Sequence, residues 1–272
     1  MKGLMELVAW QKTAPGPTLV AATAIAGAGT VRVSKRPRLV AAWADKQDTG
    51  VVRLLSAYGH DQAYGIAASC PAGISLVHAG PVDLIPLDTI SVYLTGSATA
   101  GDIETICALI AYDDVPGVAG RFLRPSEAMR AASVIGAITS ISMSVALGTS
   151  GGFSGETALS AQSHSLKPGS DYAVIGLAVS SGETAAIRIR AADWGNLGWG
   201  LPGVVNSANM SIHSRLMGLD LPMYPVFNAT QLSNVLVDGI TDENGTDCAM
   251  TIVLVELGAG RRGRTSAGRS VC

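Results

Sequence analysis

Residues Leu39–Gly65 read LVAAWADKQDTGVVRLLSAYGHDQAYG, and a related segment follows 135 residues later, where Val174–Gly200 reads VIGLAVSSGETAAIRIRAADWGNLGWG. Five positions match at this offset: Thr49 with Thr184, Arg53 with Arg188, Ala57 with Ala192, Tyr64 with Trp199 and Gly65 with Gly200. Both segments contain an apolar strand pattern, a polar turn, a strand with arginine and an aromatic–glycine pair. This shared order predicts a tandem duplication of one structural unit.

A second pair of matching stretches follows in both halves at an offset of 144 residues. Pro81-Val82 precedes Gly101–Ala111 in the first half, and Pro225-Val226 precedes Gly245–Val255 in the second. Each unit then has about 110–130 residues, which is enough for eight short strands. An eight-stranded antiparallel sandwich of this size is an immunoglobulin-like domain or a jelly roll, and the chain lacks the Cys…Trp…Cys spacing of the former.

Hydrophobic periodicity predicts strands in both units. Ile138–Leu147 and Thr89–Thr95 alternate apolar with polar residues, as in strands with one buried face. Ile106–Ala111 and Thr251–Val255 are continuous apolar runs, which are typical of strands covered on both faces. The sequence therefore predicts an all-β chain.

Two segments favour helix. Lys2–Trp10 places apolar residues on one helical face, and Pro125–Ser133 begins with proline, followed by Ser126 as a capping residue and Glu127 in the first turn. The second segment lies close to the middle of the chain, where we expect a linker. These elements divide the chain into an N-terminal helix or arm (1–12), a first jelly roll (13–115), a linker with a short helix (116–133), a second jelly roll (134–257) and a basic C-terminal tail (258–272).

Composition excludes several classes of protein. The 272 residues include only 15% charged residues, the net charge is −2 and the pI is about 6.1. A high apolar content with little net charge argues against disorder, and the pI argues against a basic nucleic-acid-binding module. The apolar runs are too short for a membrane-spanning helix, and Met1–Lys12 has no signal-peptide pattern. We expect a soluble protein that covers much of its surface with copies of itself.

Two β-sandwiches in tandem, with a short helical linker, few charges and an N-terminal helix, resemble the double-jelly-roll major capsid proteins of tailless, membrane-containing icosahedral bacteriophages of the tectivirus/corticovirus type. The resemblance covers about Pro17–Leu257 and rests on architecture and on the repeat. It implies homotrimeric, pseudo-hexagonal capsomers whose strands stand upright on the capsid. It also implies an N-terminal segment that faces an internal membrane, and a separate protein at the vertices. The short connections between strands depart from the family, whose long loops form towers.

Sequence motifs for chemistry are weak, and we expect no catalytic, metal-binding or cofactor-binding residues. Gly148–Gly152 fits the G-x-S-x-G pattern around Ser150, but no helical periodicity follows it, so a flexible loop is favoured over a nucleophile elbow. The histidines show no metal-ligand spacing. Asp113-Asp114 and Asp242-Glu243 are either charged turn tips or ligands of a divalent cation. Cys107 and Cys248 lie in apolar runs, which favours buried thiols.

Three features are candidate contact sites. Arg53 and Arg188 are either partners in inter-subunit ion pairs or exposed strand residues. The tail contains four arginines and no acidic residue, and we expect it to contact lipid, nucleic acid or a neighbouring subunit: Arg261, Arg262, Arg264 and Arg269. The N-terminal helix, with Trp10 near its end, either contacts a membrane surface or docks on the core.

The sequence thus predicts a structural virion protein, the major capsid subunit of an icosahedral phage, made in the host cytoplasm. Its partners are other copies of itself, a vertex protein, and internal membrane lipid or genome at its termini, with no small-molecule substrate. The alternative is a two-domain β-sandwich module that binds a carbohydrate or a cell surface. Trp194 and Trp199 are the local aromatic pair that fits this alternative. A hydrolase that uses Ser150 ranks below both.

Overall fold

A computed structural model describes residues 3–25, 29–45, 51–58, 67–69, 81–135, 138–147, 152–179, 184–202, 216–241 and 246–259. The described residues are mostly β-strand. The first half contains nine strands: β1 (Leu4–Thr13), β2 (Val20–Ala21), β3 (Thr23–Ile25), β4 (Arg38–Asp45), β5 (Val52–Ser56), β6 (Ala67–Ser69), β7 (Val82–Asp83), β8 (Ile90–Leu94) and β9 (Ile103–Tyr112).

The second half is built in the same way after a short strand and one helix. These are β10 (Arg121–Leu123) and α1 (Pro125–Ile135). Eight strands follow: β11 (Ile138–Leu147), β12 (Ser154–Ala158), β13 (Ser170–Val179), β14 (Thr184–Ala191), β15 (Trp199–Pro202), β16 (Tyr224–Asn228), β17 (Val235–Thr241) and β18 (Thr246–Ala259). Short 3-10 turns occur at Leu159–Ala161, Ala192–Trp194 and Ala229–Asn234, and residues 216–219 are helical.

Each half consists of two antiparallel sheets, and the order of the strands is the same in both halves. The larger sheets have the orders β3-β1-β9-β4-β7 and β11-β18-β13-β16-β10. The smaller sheets have the orders β2-β8-β5-β6 and β12-β17-β14-β15. Eight strands of the first half therefore have counterparts in the second, taken in the same chain order. The extra strands, β3 and β10, lie at opposite edges of their sheets.

The repeat seen in the sequence coincides with this topology. Arg53 in β5 lies between Tyr93 of β8 and Ala68 of β6, and Arg188 in β14 lies between Asp238 of β17 and Gly200 of β15. The two arginines therefore occupy corresponding strand positions, as the offset of 135 residues predicts. The matched Thr49 and Gly65 lie outside the described residues.

The predicted N-terminal helix is wrong, because this segment forms the long strand β1. It pairs with β9 over ten residues, from Leu4 opposite Tyr112 to Thr13 opposite Ile103. Its residues are buried from Leu4 to Trp10, so both faces of the strand are covered. A short apolar run of this kind fits a helix as well as a buried strand, and tertiary pairing decides between them. The first half therefore begins with β1, and residues 4–12 belong to this strand and not to a separate arm.

The predicted central helix is confirmed as α1. It begins at Pro125, and the Glu127 carboxylate accepts a hydrogen bond from the backbone N–H of Arg124 (2.8 Å). Ser126 is not the cap, because its own N–H and hydroxyl donate to the carboxylate of Asp220. The carboxylates of Glu127 and Asp220 thus accept hydrogen bonds from two backbone N–H groups at the start of the helix, and their negative charge interacts favourably with the positive end of the helix dipole. Because β10 pairs with β16, the linker also adds a strand to the second half.

The larger sheet of the first half packs against the smaller sheet of the second half. The N–H of Leu7 donates to the carbonyl of Gly198 (2.7 Å), and the indole N–H of Trp43 donates to the carbonyl of Ala185 (3.1 Å). The Gln11 amide donates to the carbonyl of Thr241 (2.9 Å). We use "outer face" for the side of a sheet that points away from its own half. The outer face of β1, β9 and β4 is mostly apolar, and its described side chains are buried.

Gly200 lies at the centre of this contact, and an alanine there is expected to destabilise the fold. A Cβ at Gly200 would collide with the Ile187 carbonyl and lie 2.7 Å from Cδ2 of Leu7. We expect Gly200→Ala to lower the free energy of unfolding by about 1–3 kcal/mol in urea titrations, as overpacking does. Gly152→Ala is the matched control, since nothing lies within 4 Å of its Cβ position. An unchanged midpoint for Gly200→Ala contradicts the close approach of the two halves.

Candidate functional site

Part of the outer face of the larger sheet in the second half is exposed, unlike its counterpart in the first half, although Val255 on this face is buried and α1 contacts β18. Its cross-strand pairs on β11 and β18 are Ser140 with Val253, Ser142 with Thr251, Ser144 with Ala249 and Ala146 with Asp247. All of these side chains are exposed or half-buried. This part of the surface is therefore made mostly of small residues and contains a single carboxylate among these four pairs.

Strand β11 also leaves one edge of this sheet open. It pairs with β18 on one side and is the last strand of its sheet. Among the described residues, no backbone bond reaches its other side. Edge strands are usually short, or protected by charge, proline or a bulge, yet β11 has ten residues, ITSISMSVAL, and none of these devices. The corresponding edge of β1 is covered by β3 and by Gly198.

A network of charges occupies the smaller sheet of the second half. The Asp238 carboxylate, 3% exposed, accepts two hydrogen bonds from Arg188 (2.8 and 2.7 Å) and one from Arg190 (3.0 Å). Arg190 also contacts Glu156, and the guanidinium of Arg188 lies 3.6 Å from the centre of the Phe153 ring. Arg188 is thus satisfied within its own chain. Its acidic partner in the chain is on the neighbouring strand, and the inter-subunit interpretation of Arg188 stays a prediction.

Arg53, the counterpart of Arg188, has no such partner within the described part of the chain. Tyr93 stands at the position that Asp238 occupies in the second half. The Arg53 side chain is half-buried, and its Nε is fully buried without a hydrogen bond. Buried polar groups are almost always hydrogen-bonded in native proteins. The N–H at Nε of Arg53 is therefore an exception that lacks an acceptor among the described residues. The inter-subunit interpretation of Arg53 stays a prediction.

Several exposed apolar residues of the first half were not found from the sequence. Tyr58 is 80% exposed and Leu87 is 63% exposed, and Val33 and Ile85 are exposed as well. The fully buried Asp88 holds this end together, since its carboxylate accepts from the Ser56 hydroxyl and from the N–H groups of Tyr58 and Thr89. Leu87 has a φ of +65°, which is rare for a branched residue. The carboxylate thus supports a strained turn that points leucine at solvent.

Sequence reasoning also missed an ionic cluster around the buried Glu6 of β1. The Glu6 carboxylate accepts two hydrogen bonds from Arg32 (2.8 and 2.6 Å) and one from the Tyr112 hydroxyl (3.1 Å). The hydrogen bond to Glu6 raises the pKa of Arg32. Burial, followed by the charge of Glu6, raises the pKa of Tyr112 well above its usual value, so the phenol stays protonated. The three residues share no sequence motif that could reveal this cluster.

The remaining predicted contacts differ in outcome. Trp10 is buried in β1, so its expected contact with lipid is wrong. The tail begins after Ala259, because Gly258 and Ala259 pair with β13, and Arg261, Arg262, Arg264 and Arg269 lie outside the described residues. Cys107 and Cys248 are buried as expected.

The structure describes only some of the residues on which the alternative functions depend. Trp194 and Trp199 are both fully buried, so they provide no aromatic platform for a sugar. Ser150 and Asp242-Glu243 lie outside the described residues. Asp113 pairs with Arg38 (2.6 Å) and Asp114 with Lys35 (3.4 Å). Within the described part of the chain, no cluster of three potential metal ligands occurs, and no helix is long and apolar enough to cross a membrane.

Comparisons with known proteins give only distant similarities. No protein-family model and no curated protein matches the chain. The PBSX exported protein XepA matches 92% of this chain and 86% of its own with 10% identity and a TM-score of 0.27. The major capsid protein of STIV matches 94% of this chain and 97% of its own with 8% identity and a TM-score of 0.22. These TM-scores are too low to carry an argument about fold or function.

Removal of the Asp238 carboxylate tests the charge network. Arg188 is only 13% exposed, so Asp238→Ala leaves a nearly buried cation without its partner. We expect a loss of about 3–5 kcal/mol in the free energy of unfolding, measured by urea titration. Glu156 is 54% exposed, and Glu156→Ala is the control, with a loss below about 1 kcal/mol. Equal losses in the two variants contradict a central role for Asp238.

Proposed function

We propose that the chain is the major capsid subunit of a tailless icosahedral phage, and that each half is a jelly roll. The observation that carries this proposal is the repeated strand order. In each half the chain passes back and forth between two sheets, and the first and last long strands, β1 with β9 and β11 with β18, become neighbours in one sheet. Eight-stranded double sheets of this kind are common in viral capsid domains.

The packing between the halves supports a building block rather than two tethered modules. The larger sheet of the first half lies on the smaller sheet of the second, with buried apolar residues and three hydrogen bonds across the contact. An interface of this kind resists relative motion, whereas flexible binding modules are usually joined through small polar contacts. The proposal assigns the chain a structural role in the virion, without a catalytic step or small-molecule substrate.

The subunit is proposed to form a homotrimer. Three chains place six similar sandwiches around one axis, and closed cyclic symmetry satisfies every heterologous contact. A low content of charged residues leaves surface suited to extensive contacts between copies. Six-sided capsomers can tile a shell, and another protein then fills the fivefold vertices.

The oligomeric state of the purified protein tests this proposal. We expect native mass spectrometry to give a trimer at micromolar concentration, and electron microscopy to show six-sided capsomers or closed shells. An obligate interface of this type buries more than about 2,000 Å² per pair of subunits, so the trimer should survive dilution. A stable monomer that binds a glycan instead supports the module with a carbohydrate ligand and contradicts the capsid proposal.

The basic tail is proposed to act in assembly and not in folding. Deletion of residues 260–272 removes four arginines but no residue of β18, so the melting temperature should change little. The yield of particles should fall relative to the full-length chain. Added salt should make this difference in yield smaller, because salt screens ionic contacts. Replacing Arg261, Arg262, Arg264 and Arg269 with lysine is the matched control and should preserve assembly. Normal assembly after the deletion contradicts this role.

A further inference from the structure

The open edge of β11 presents a row of backbone N–H and C=O groups. Ser142 of β11 lies opposite Thr251 of β18, and the two hydroxyl oxygens are 3.0 Å apart. Side chains this close are typical of the non-hydrogen-bonded pairs of an antiparallel ladder, whose backbone groups point away from the partner strand. The N–H and C=O of Ser142 therefore face the open edge. Those of Ser140 and Ser144 do so as well, because the orientation repeats at every second residue of a strand.

The repeat supports the same orientation independently. Matching the two long ladders at the offset of 144 residues makes Leu7 in β1 the counterpart of Ser140 in β11. The N–H of Leu7 points away from β9, since it donates to Gly198 in the other half. Ala9, the counterpart of Ser142, pairs with β3, which is antiparallel to β1. The corresponding edge in the first half thus already accepts an antiparallel strand.

The position of β12 sets the part of the edge that can accept a strand. A Cβ added at Gly155 would lie 2.5 Å from the carbonyl oxygen of Ala146, so β12 lies beside the C-terminal end of β11. The edge at Ser140, Ser142 and Ser144 has no backbone partner among the described residues. An antiparallel strand on this part of the edge is therefore centred on Ser142.

The composition of β11 favours a second copy of the same strand as the occupant. The ten residues of β11 include no charged residue, glycine or proline, so two copies side by side meet neither like-charge repulsion nor a break in the ladder. A twofold axis at Ser142 places Ser142 opposite itself and Ser140 opposite Ser144, which gives about six backbone hydrogen bonds. On the inner side, Ile141 of one copy then lies opposite Met143 of the other, so apolar residues meet each other.

We propose that β11 of one chain pairs antiparallel with β11 of a second copy of the same chain, about a twofold axis at Ser142. This isologous contact joins two five-stranded sheets into one continuous sheet. The contact goes beyond the proposed trimer, because a threefold axis cannot hold an isologous pair. In a shell of trimers it joins neighbouring capsomers.

Charged substitutions at Ser142 test the pairing, since this residue is exposed and lies at the proposed axis. Ser142→Lys and Ser142→Glu should each leave the melting temperature nearly unchanged. Each should weaken the contact about five- to tenfold, because like charges then meet directly across the axis. An equal mixture of the two variants should restore the contact, since opposite charges meet. The same two substitutions at Ser165, an exposed residue between β12 and β13, are the matched control and should associate like the wild type.

Cysteine cross-linking tests the register of the pairing in a chain that also carries Cys70→Ser and Cys272→Ser. Ser142→Cys places a thiol on each of two facing residues, whose Cα atoms are about 5.5 Å apart in a hydrogen-bonded pair. Ser140→Cys places the two thiols about 14 Å apart, because each lies opposite Ser144 of the other copy. A short reagent with two thiol-reactive groups should therefore join Ser142→Cys chains into covalent dimers and join Ser140→Cys chains far less.

Analytical ultracentrifugation over a concentration series, together with the cross-linking yields, distinguishes the outcomes. Association that is restored in the mixture and cross-linking that is selective for Ser142→Cys support the contact. Trimers or shells that no substitution at Ser142 weakens, without this cross-link, overturn the inference and leave the proposed function intact. Dimers cross-linked at Ser142→Cys in the absence of trimers support the contact and contradict the proposed function. A wild-type chain that stays monomeric overturns both and leaves the edge to a strand of another protein. If Ser142→Lys lowers the melting temperature, the two cysteine variants decide the result.

Discussion

The ten-residue pairing of β1 with β9 forms the centre of a sheet that is buried on both faces, and this double burial constrains the rest of the molecule. Both faces belong to one apolar cluster that continues from the first half into the second, and the outer face contacts the second half through Leu7, Gln11 and Trp43. A buried backbone group must find a hydrogen-bond partner, and the N–H of Leu7 finds one in Gly198 across the contact. Separation of the halves would therefore expose apolar surface and an unpaired edge together.

Glycine at two positions makes this contact possible. Gly200 admits Leu7 from the first half, and Gly198 admits the side chain of Arg188, since a Cβ at either position would collide with these neighbours. The guanidinium of Arg188 then contacts both the Asp238 carboxylate and the Phe153 ring. Its charge is therefore neutralised by a residue of the same sheet. The charge network and the packing of the halves thus depend on the same short stretch before and within β15.

Many of the strands could be predicted from the sequence, because the alternation of apolar and polar residues along a strand follows the burial of its two faces. The alternation in Ile138–Leu147 predicts β11, and the matched arginines identify corresponding strands. The failure at β1 has a physical cause: a strand buried on both faces loses the alternation that distinguishes it from a short helix. Ion pairs such as Arg188 with Asp238 depend on strand register between residues 50 positions apart, which local patterns do not contain.

The two halves share a strand order but differ in the chemistry of their outer faces, and this difference follows from how far each face is covered within the chain. The face of β1 and β9 is covered as the chain folds, so it can be nearly as apolar as a domain core. The face of β11 and β18 is exposed or half-buried at four cross-strand pairs, and a large apolar patch there would drive uncontrolled association. Serine, threonine and alanine avoid such a patch, since they are wetted easily and expose little apolar area. Two sandwiches with one strand order are therefore expected to diverge in this direction when the fold buries this face in only one of them.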